Sequence, residues 1–122
     1  VQRPRNEPLI ASLFGRALVA TEDRKYLPEA REVLRTAVAR DQENPDAWYQ
    51  LGVIYTQEGD QARAALASAE RFSLQGNASL ALGNAEAAMR GIPEGSADWI
   101  RAQDIAMVSR TALEEARHKK KR

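Results

Sequence analysis

Apolar residues recur every third or fourth position in six successive stretches of the chain, and residues that start or stop helices bound each stretch. Ile10, Leu13, Phe14, Ala17 and Leu18 form the first face, behind the start signal Asn6-Glu7-Pro8. Ala30, Val33, Leu34, Ala37 and Val38 form the second, opened by Pro28 after the charged connector Thr21 to Lys25. Asn44 is a suitable N-cap and Pro45 suits a first helical position, so a third helix starts there and carries Trp48, Leu51, Gly52 and Tyr55. It stops at Gly59-Asp60. Ala65, Ala69 and Phe72 mark a fourth helix ending before Gly76-Asn77, and Ala81, Ala85, Ala88 and Ile92 a fifth ending before Pro93-Glu94-Gly95. Ser96 caps a sixth with Trp99, Ala102, Ala106 and Leu113. Connections this short, about two to six residues, favour antiparallel packing of sequential helices. No segment alternates with a period of two. The pattern predicts an all-α fold.

The third stretch is more than amphipathic. Trp48-Tyr49-Gln50-Leu51-Gly52-Val53-Ile54-Tyr55 fits the tetratricopeptide (TPR) signature W-x2-L-G-x2-Y at each specified position. Trp48, Leu51, Gly52 and Tyr55 share a face on which the missing side chain of Gly52 admits a neighbouring helix, while large rings fill the space beside it. Ala64 offers a small contact on the next helix. Ala30, Leu34 and Ala37 suit the second helix of a preceding unit. Ala69, Phe72, Gly76, Ala81, Ala85, Ala88 and Pro93 repeat the logic half a unit later, so the Ala69 helix reads either as the second helix of one unit or as the first of the next. The expected architecture is a TPR helical-hairpin solenoid of about three helix pairs with a C-terminal capping helix, whose polar side holds Arg101, Asp104, Arg110, Glu114 and Glu115. The alternative is a closed six-helix bundle. Residues 1–117 read as one domain and 118–122 as a basic tail.

Composition narrows the chemistry. The 122 residues include no cysteine and one histidine, His118, within that tail. Disulfides, thiol catalysis, a histidine-rich metal site and a serine–histidine relay are excluded from this chain. Acidic pairs such as Glu22-Asp23 and Glu114-Glu115 read as solvated helix ends. No catalytic residue, metal or other cofactor is expected. Five of the 18 basic residues lie in the last six positions, so the body is mildly acidic and no nucleic-acid partner is expected. No apolar run approaches the length of a membrane span. A start at Val1, without an initiator methionine or a leader, suits a processed product or an excised piece of a longer protein.

Several strings go beyond the general repeat: Ala17-Leu18-Val19-Ala20-Thr21-Glu22-Asp23, Lys25-Tyr26-Leu27-Pro28-Glu29-Ala30, Asp41 to Trp48, Leu66-Ala67-Ser68-Ala69-Glu70-Arg71, and above all Gly95-Ser96-Ala97-Asp98-Trp99-Ile100-Arg101-Ala102-Gln103-Asp104-Ile105. Together, over roughly residues 9–106, they resemble the C-terminal TPR domain of bacterial periplasmic zinc metallopeptidases, the group that includes the β-barrel-assembly-enhancing protease. Gln42 stands where that family commonly has proline. The resemblance implies a periplasmic, non-catalytic partner domain that recruits substrates or outer-membrane assembly proteins. The HExxH zinc helix would lie in an upstream domain, since this chain has nothing corresponding to it.

Arrays of paired helices bind a protein or peptide along one face. Tyr49, Gln50, Val53, Thr56 and Gln57 point away from the signature face of the Trp48 helix. Ser12 and Arg16 are their counterparts in the first helix. Arg63, Glu70 and Ser73 join them if the Ala69 helix lines the groove. Tyr49, a rigid aromatic with a polar tip, is the leading anchor, whereas Trp48, Tyr55, Phe72 and Trp99 read as core. No cluster of Lys, Arg and Asn for a terminal carboxylate can be assembled from the spacing. Two other roles fit the residues: a free-standing TPR scaffold or co-chaperone, and a tether to anionic lipid or nucleic acid through Lys119 to Arg122.

Overall fold

The computed structural model describes residues 24–120. A single 3-10 turn, Arg24–Tyr26, leads into five α-helices: α1 (Leu27–Arg40), α2 (Pro45–Gln57), α3 (Gln61–Leu74), α4 (Ala78–Gly91) and α5 (Ala97–Lys120). No strand occurs among the described residues. The expected helix before Thr21 lies outside them.

Local chemistry sets the helix starts. The side chain of Asn44 accepts a hydrogen bond from the Ala47 N–H at 3.2 Å, and Pro45 follows in the first turn. Asp60 and Asn77 cap α3 and α4 in the same way. Ser96 Oγ accepts from the Trp99 N–H at the start of α5. Each cap satisfies a donor that the helix geometry leaves open, a contribution of about 1 kcal/mol. Gly59, at φ 81°, makes the reversal between α2 and α3 that a side chain would strain.

The helices pack in chain order, and α3 contacts three neighbours, α2, α4 and α5. Two buried clusters meet along it. The first joins Leu27, Leu34, Val38, Trp48, Leu51, Ile54 and Tyr55 of α1 and α2 to Ala67 of α3. The second joins Leu66 and Ala69 of α3 to Ala81, Ala85, Ala88, Ile92, Ala102, Ile105 and Ala106. So many buried alanines let α3, α4 and α5 approach at the short end of helix spacing, about 8 Å. A Cβ added to Gly52 would lie 3.4 Å from the Cβ of Ala67, an ordinary contact, so the signature glycine faces small residues at the α2–α3 crossing but, contrary to expectation, its missing side chain is not what admits α3.

Both indoles tie a helix to a preceding segment. Trp48 Nε1 donates to the Gln42 carbonyl at 2.9 Å, and Trp99 Nε1 to the Met89 carbonyl at 3.2 Å. Trp48 and Tyr55 are buried, while Phe72 and Trp99 are half-buried against the second cluster.

Two further features differ from expectation, and a third bears on a point the sequence leaves open. Helix α5 runs on through His118 to Lys120, so no structural break falls at 117/118. Lysine and arginine are good helix formers, and positive charge suits a helix C-terminus. Arg101 does not belong to a polar outer face, because it turns inward to Glu70 and lies over the Trp48 ring. The Ala69 helix, α3, shares a side of the array with α1 and α5, since Arg35 of α1 and Arg63 of α3 both reach Asp98 of α5.

Candidate protein-binding clefts

Helix α3 borders two open clefts. In the first, Ala64, Ser68 and Arg71 recur at i, i+4 and i+7 on α3 and face Tyr49, Val53, Thr56 and Gln57 of α2. Trp48 and Gly52 complete this cleft, of about 380 Å³. Small residues at 64 and 68 keep it open. Tyr49 is 51% exposed, and the Arg71 guanidinium lies 5.4 Å from its ring centre and 4.5 Å from that of Phe72. This arrangement pre-positions a ring at one end of an apolar surface. Thr56 Oγ1 donates to the Gly52 carbonyl at 2.9 Å, so its hydroxyl is already satisfied.

The second cleft, about 180 Å³, lies where α1, α2, α3 and α5 meet. Its floor is formed by the buried Val38, Trp48, Leu51 and Leu66, and its charged groups are Arg35, Arg63, Asp98 and Arg101. Asp98 accepts from Arg63 Nε at 2.9 Å and stands 3.8 Å from Arg35 Nη1. Asp60 takes a second bond from Arg63 at 3.1 Å. Arg35 Nη1 also donates to the Tyr55 hydroxyl. Arg101 pairs with Glu70, and its guanidinium lies 5.1 Å from the Trp48 ring. The mouth continues into a polar stretch where Arg31 and Glu58 pair at 2.6 Å.

Titration follows these contacts. The hydrogen bond that Arg63 donates to Asp98 raises Arg63 further above its already high value, and the one that Arg31 donates to Glu58 does the same for Arg31. Burial pushes the Tyr55 phenol up against the opposing pull of Arg35. Every guanidinium here stays charged. Among the described residues no group of three or more His, Asp or Glu side chains could hold a metal ion, and no helix is long and apolar enough to cross a membrane.

The residues expected to line a single groove do not share one surface. Tyr49, Val53 and Thr56 come together in the first cleft. Gln50 is half-buried and lines neither cleft. Arg63 lines the second. Glu70 is not a groove residue: it is 7% exposed and held against Arg101. Ser12 and Arg16 lie outside the described residues. Sequence reasoning missed Arg35, Asp98 and Arg101. Two of these sit in the Gly95–Ile105 string singled out for its resemblance, which was the available signal.

Antiparallel helices stacked in chain order, a small-residue crossing at the signature glycine and clefts between successive helices define an all-α TPR helical solenoid. The tetratricopeptide repeat family matches residues 33–65, from within α1 to the start of α3. The chain is similar to Tetratricopeptide repeat protein 5 of Homo sapiens, at 44% identity over 55 residues that make up 45% of this chain and 12% of that protein. The Bos taurus protein of the same name is 42% identical over 55 residues, with the same shares. The match thus spans a small part of the length of these relatives. No solved structure matches the chain.

Proposed function

We propose that this chain is a non-catalytic protein-interaction domain that seats a peptide or protein segment in the α2–α3 cleft. One observation carries the reading: a half-exposed tyrosine, held by the Arg71 guanidinium, stands at an apolar cleft beside the TPR signature. Rigid aromatics with a polar tip are frequent centres of binding energy, because little side-chain freedom is lost when they are covered. Val53 and Thr56 extend the same surface. Ser12 and Arg16 belong to the proposed set on the strength of their sequence pattern.

Within this reading the domain serves as the recruiting C-terminal part of a periplasmic zinc metallopeptidase in envelope protein quality control. Its partners are then substrates, the upstream catalytic domain and outer-membrane assembly proteins. The support is the set of strings between residues 9 and 106, above all Gly95–Ile105. The coding sequence upstream of Val1 tests this part: an HExxH motif supports it, and a native start codon moves the domain to a free-standing scaffold. The binding role is tested by quantifying envelope proteins captured by the 122-residue chain and by its Tyr49→Ala variant. Tyr49 is exposed enough for the variant to fold. The expected result is a loss of about tenfold or more in specific capture, as for an aromatic hot spot; equal capture removes the cleft assignment.

A further inference from the structure

Helix α5 is apolar on two sides. Ala102, Ile105, Ala106 and Ser109 are buried in the array. Ile100, Met107 and Val108 point away from it, at 46%, 56% and 66% exposure, and Thr111 and Ala112 continue this second face at helical spacing. The helix also outruns its support. It has 24 residues against 14 in α4, and from Thr111 to Lys120 only Leu113 is half-buried, the rest being exposed. Helices draw most of their stability from packing an apolar face, and this face has nothing packed on it among the described residues.

Charge along the face is ordered. Asp104 and Glu115 are its acidic residues, and His118 and Lys119 form its basic end. The neighbouring arginines are engaged elsewhere: Arg101 turns inward to Glu70, and Arg110 reaches Glu86 of α4. We infer that this face of α5 is a homotypic docking surface, on which a second copy of the chain packs antiparallel with the two Thr111 residues at the crossing. A two-fold axis there sets Met107 and Val108 of each copy over Ala112 and the Glu115 stem of the other, and brings each Asp104 to Lys119 of the other. A parallel pair would instead oppose the two Arg117–Lys120 ends. A lipid surface would have to bury Asp104, Glu114 and Glu115 together with the apolar residues. The contact spans about 22 Å of helix and is one helix wide, which is small for a protein interface, so a reversible dimer with a Kd of about 10–100 µM is expected. The inference goes beyond the protein-interaction reading and shares no residue with the Tyr49 cleft.

Sedimentation equilibrium of the 122-residue chain, over about 5–500 µM to bracket that Kd, should show a monomer passing into a dimer. Asp104→Lys and Lys119→Asp, both at exposed positions, should each weaken association about tenfold or more, because each change acts at two symmetric contacts. Combining the two should restore it. These residues stand about 22 Å apart along one helix, so the recovery can only arise between copies. Met107→Ser with Val108→Ser should leave a monomer, while Tyr49→Ala should associate as the unmodified chain does. The chain has no cysteine, so Thr111→Cys under mild oxidation should give a disulfide-linked dimer, and Ser79→Cys, exposed on α4, should not. A chain that stays monomeric at the highest concentration, or a dimer unaffected by the two serine substitutions, overturns the inference. Loss in the single charge variants without recovery in the double one overturns the antiparallel pairing and the choice of occupant with it. Capture of a monomer by anionic vesicles through Met107 and Val108 overturns it in favour of a membrane surface. Tyr49-dependent capture is measured apart from these, so failure here leaves the protein-interaction reading standing.

Discussion

Gly91 closes α4 where that helix crosses α3, and a Cβ built on it would lie 2.6 Å from the Cβ of Ala62 and 3.7 Å from its Cα. Carbon atoms in contact rest at about 3.5–4.0 Å, so Gly91→Ala forces the two helices apart by roughly 1 Å at that point. The helix end cannot easily swing away, because Ile92, the next residue, is buried in the second cluster. Overpacking of this kind costs about 1–3 kcal/mol. Replacing glycine by alanine in a helix returns about 0.5–1 kcal/mol. The overpacking is the larger effect, and the net loss should be about 1–2 kcal/mol. Gly52→Ala makes the opposite comparison: its new Cβ meets Ala67 at 3.4 Å, an ordinary contact, so the helix preference prevails and stability holds or rises slightly. Urea unfolding of both variants reads the difference directly. Ala62→Gly in the Gly91→Ala background should recover stability beyond the sum of the single changes, which marks the contact itself as the cause. A Gly91→Ala protein as stable as wild type, or a double variant that is merely additive, refutes the packing described for α3 and α4.

Glu70→Gln should destabilise the domain by about 1–3 kcal/mol, because it leaves the Arg101 guanidinium half-buried without its carboxylate, and Glu70→Met with Arg101→Leu should recover most of the loss in the same assay. The Tyr55 phenol is raised in the fold by burial, so the folded state holds its proton more tightly than the unfolded chain. Its contribution is complete below the unfolded value near pH 10 and is lost as pH climbs through the folded value, so stability should fall on the alkaline side, and Tyr55→Phe should flatten that fall. Trp48→Phe removes the indole bond to the Gln42 carbonyl and part of the core volume, a loss of about 1–3 kcal/mol readable as a lower Tm.

Some of this was legible in the residues and some was not. Asn44, Pro45 and Ser96 announce helix starts because capping is a matter between neighbours three positions apart, and the observed bonds are those expected. The outward direction of Tyr49 and Val53 followed once Trp48, Leu51, Gly52 and Tyr55 defined the inner face. The place of α3 did not follow. It packs on three helices, so Leu66, Ala67 and Ala69 spread its apolar positions widely around the axis and no single stripe reveals its layer. Glu70 carries the ordinary look of a surface residue, and nothing local indicates that Arg101 will cover it. The second cleft is legible only in three dimensions, since its cations come one each from α1, α3 and α5. For the same reason no basic run appears at those positions in the chain.

The central claim is that the open α2–α3 cleft holds another polypeptide. Amide hydrogen exchange of the chain, alone and bound to a protein captured in a Tyr49-dependent manner, tests it most directly. Slowed exchange should be concentrated in α2 and α3, with the exposed positions Ser79, Leu80 and Gly83 of α4 unchanged. A footprint on α4 and the distal half of α5, leaving α2 and α3 unaffected, would contradict it.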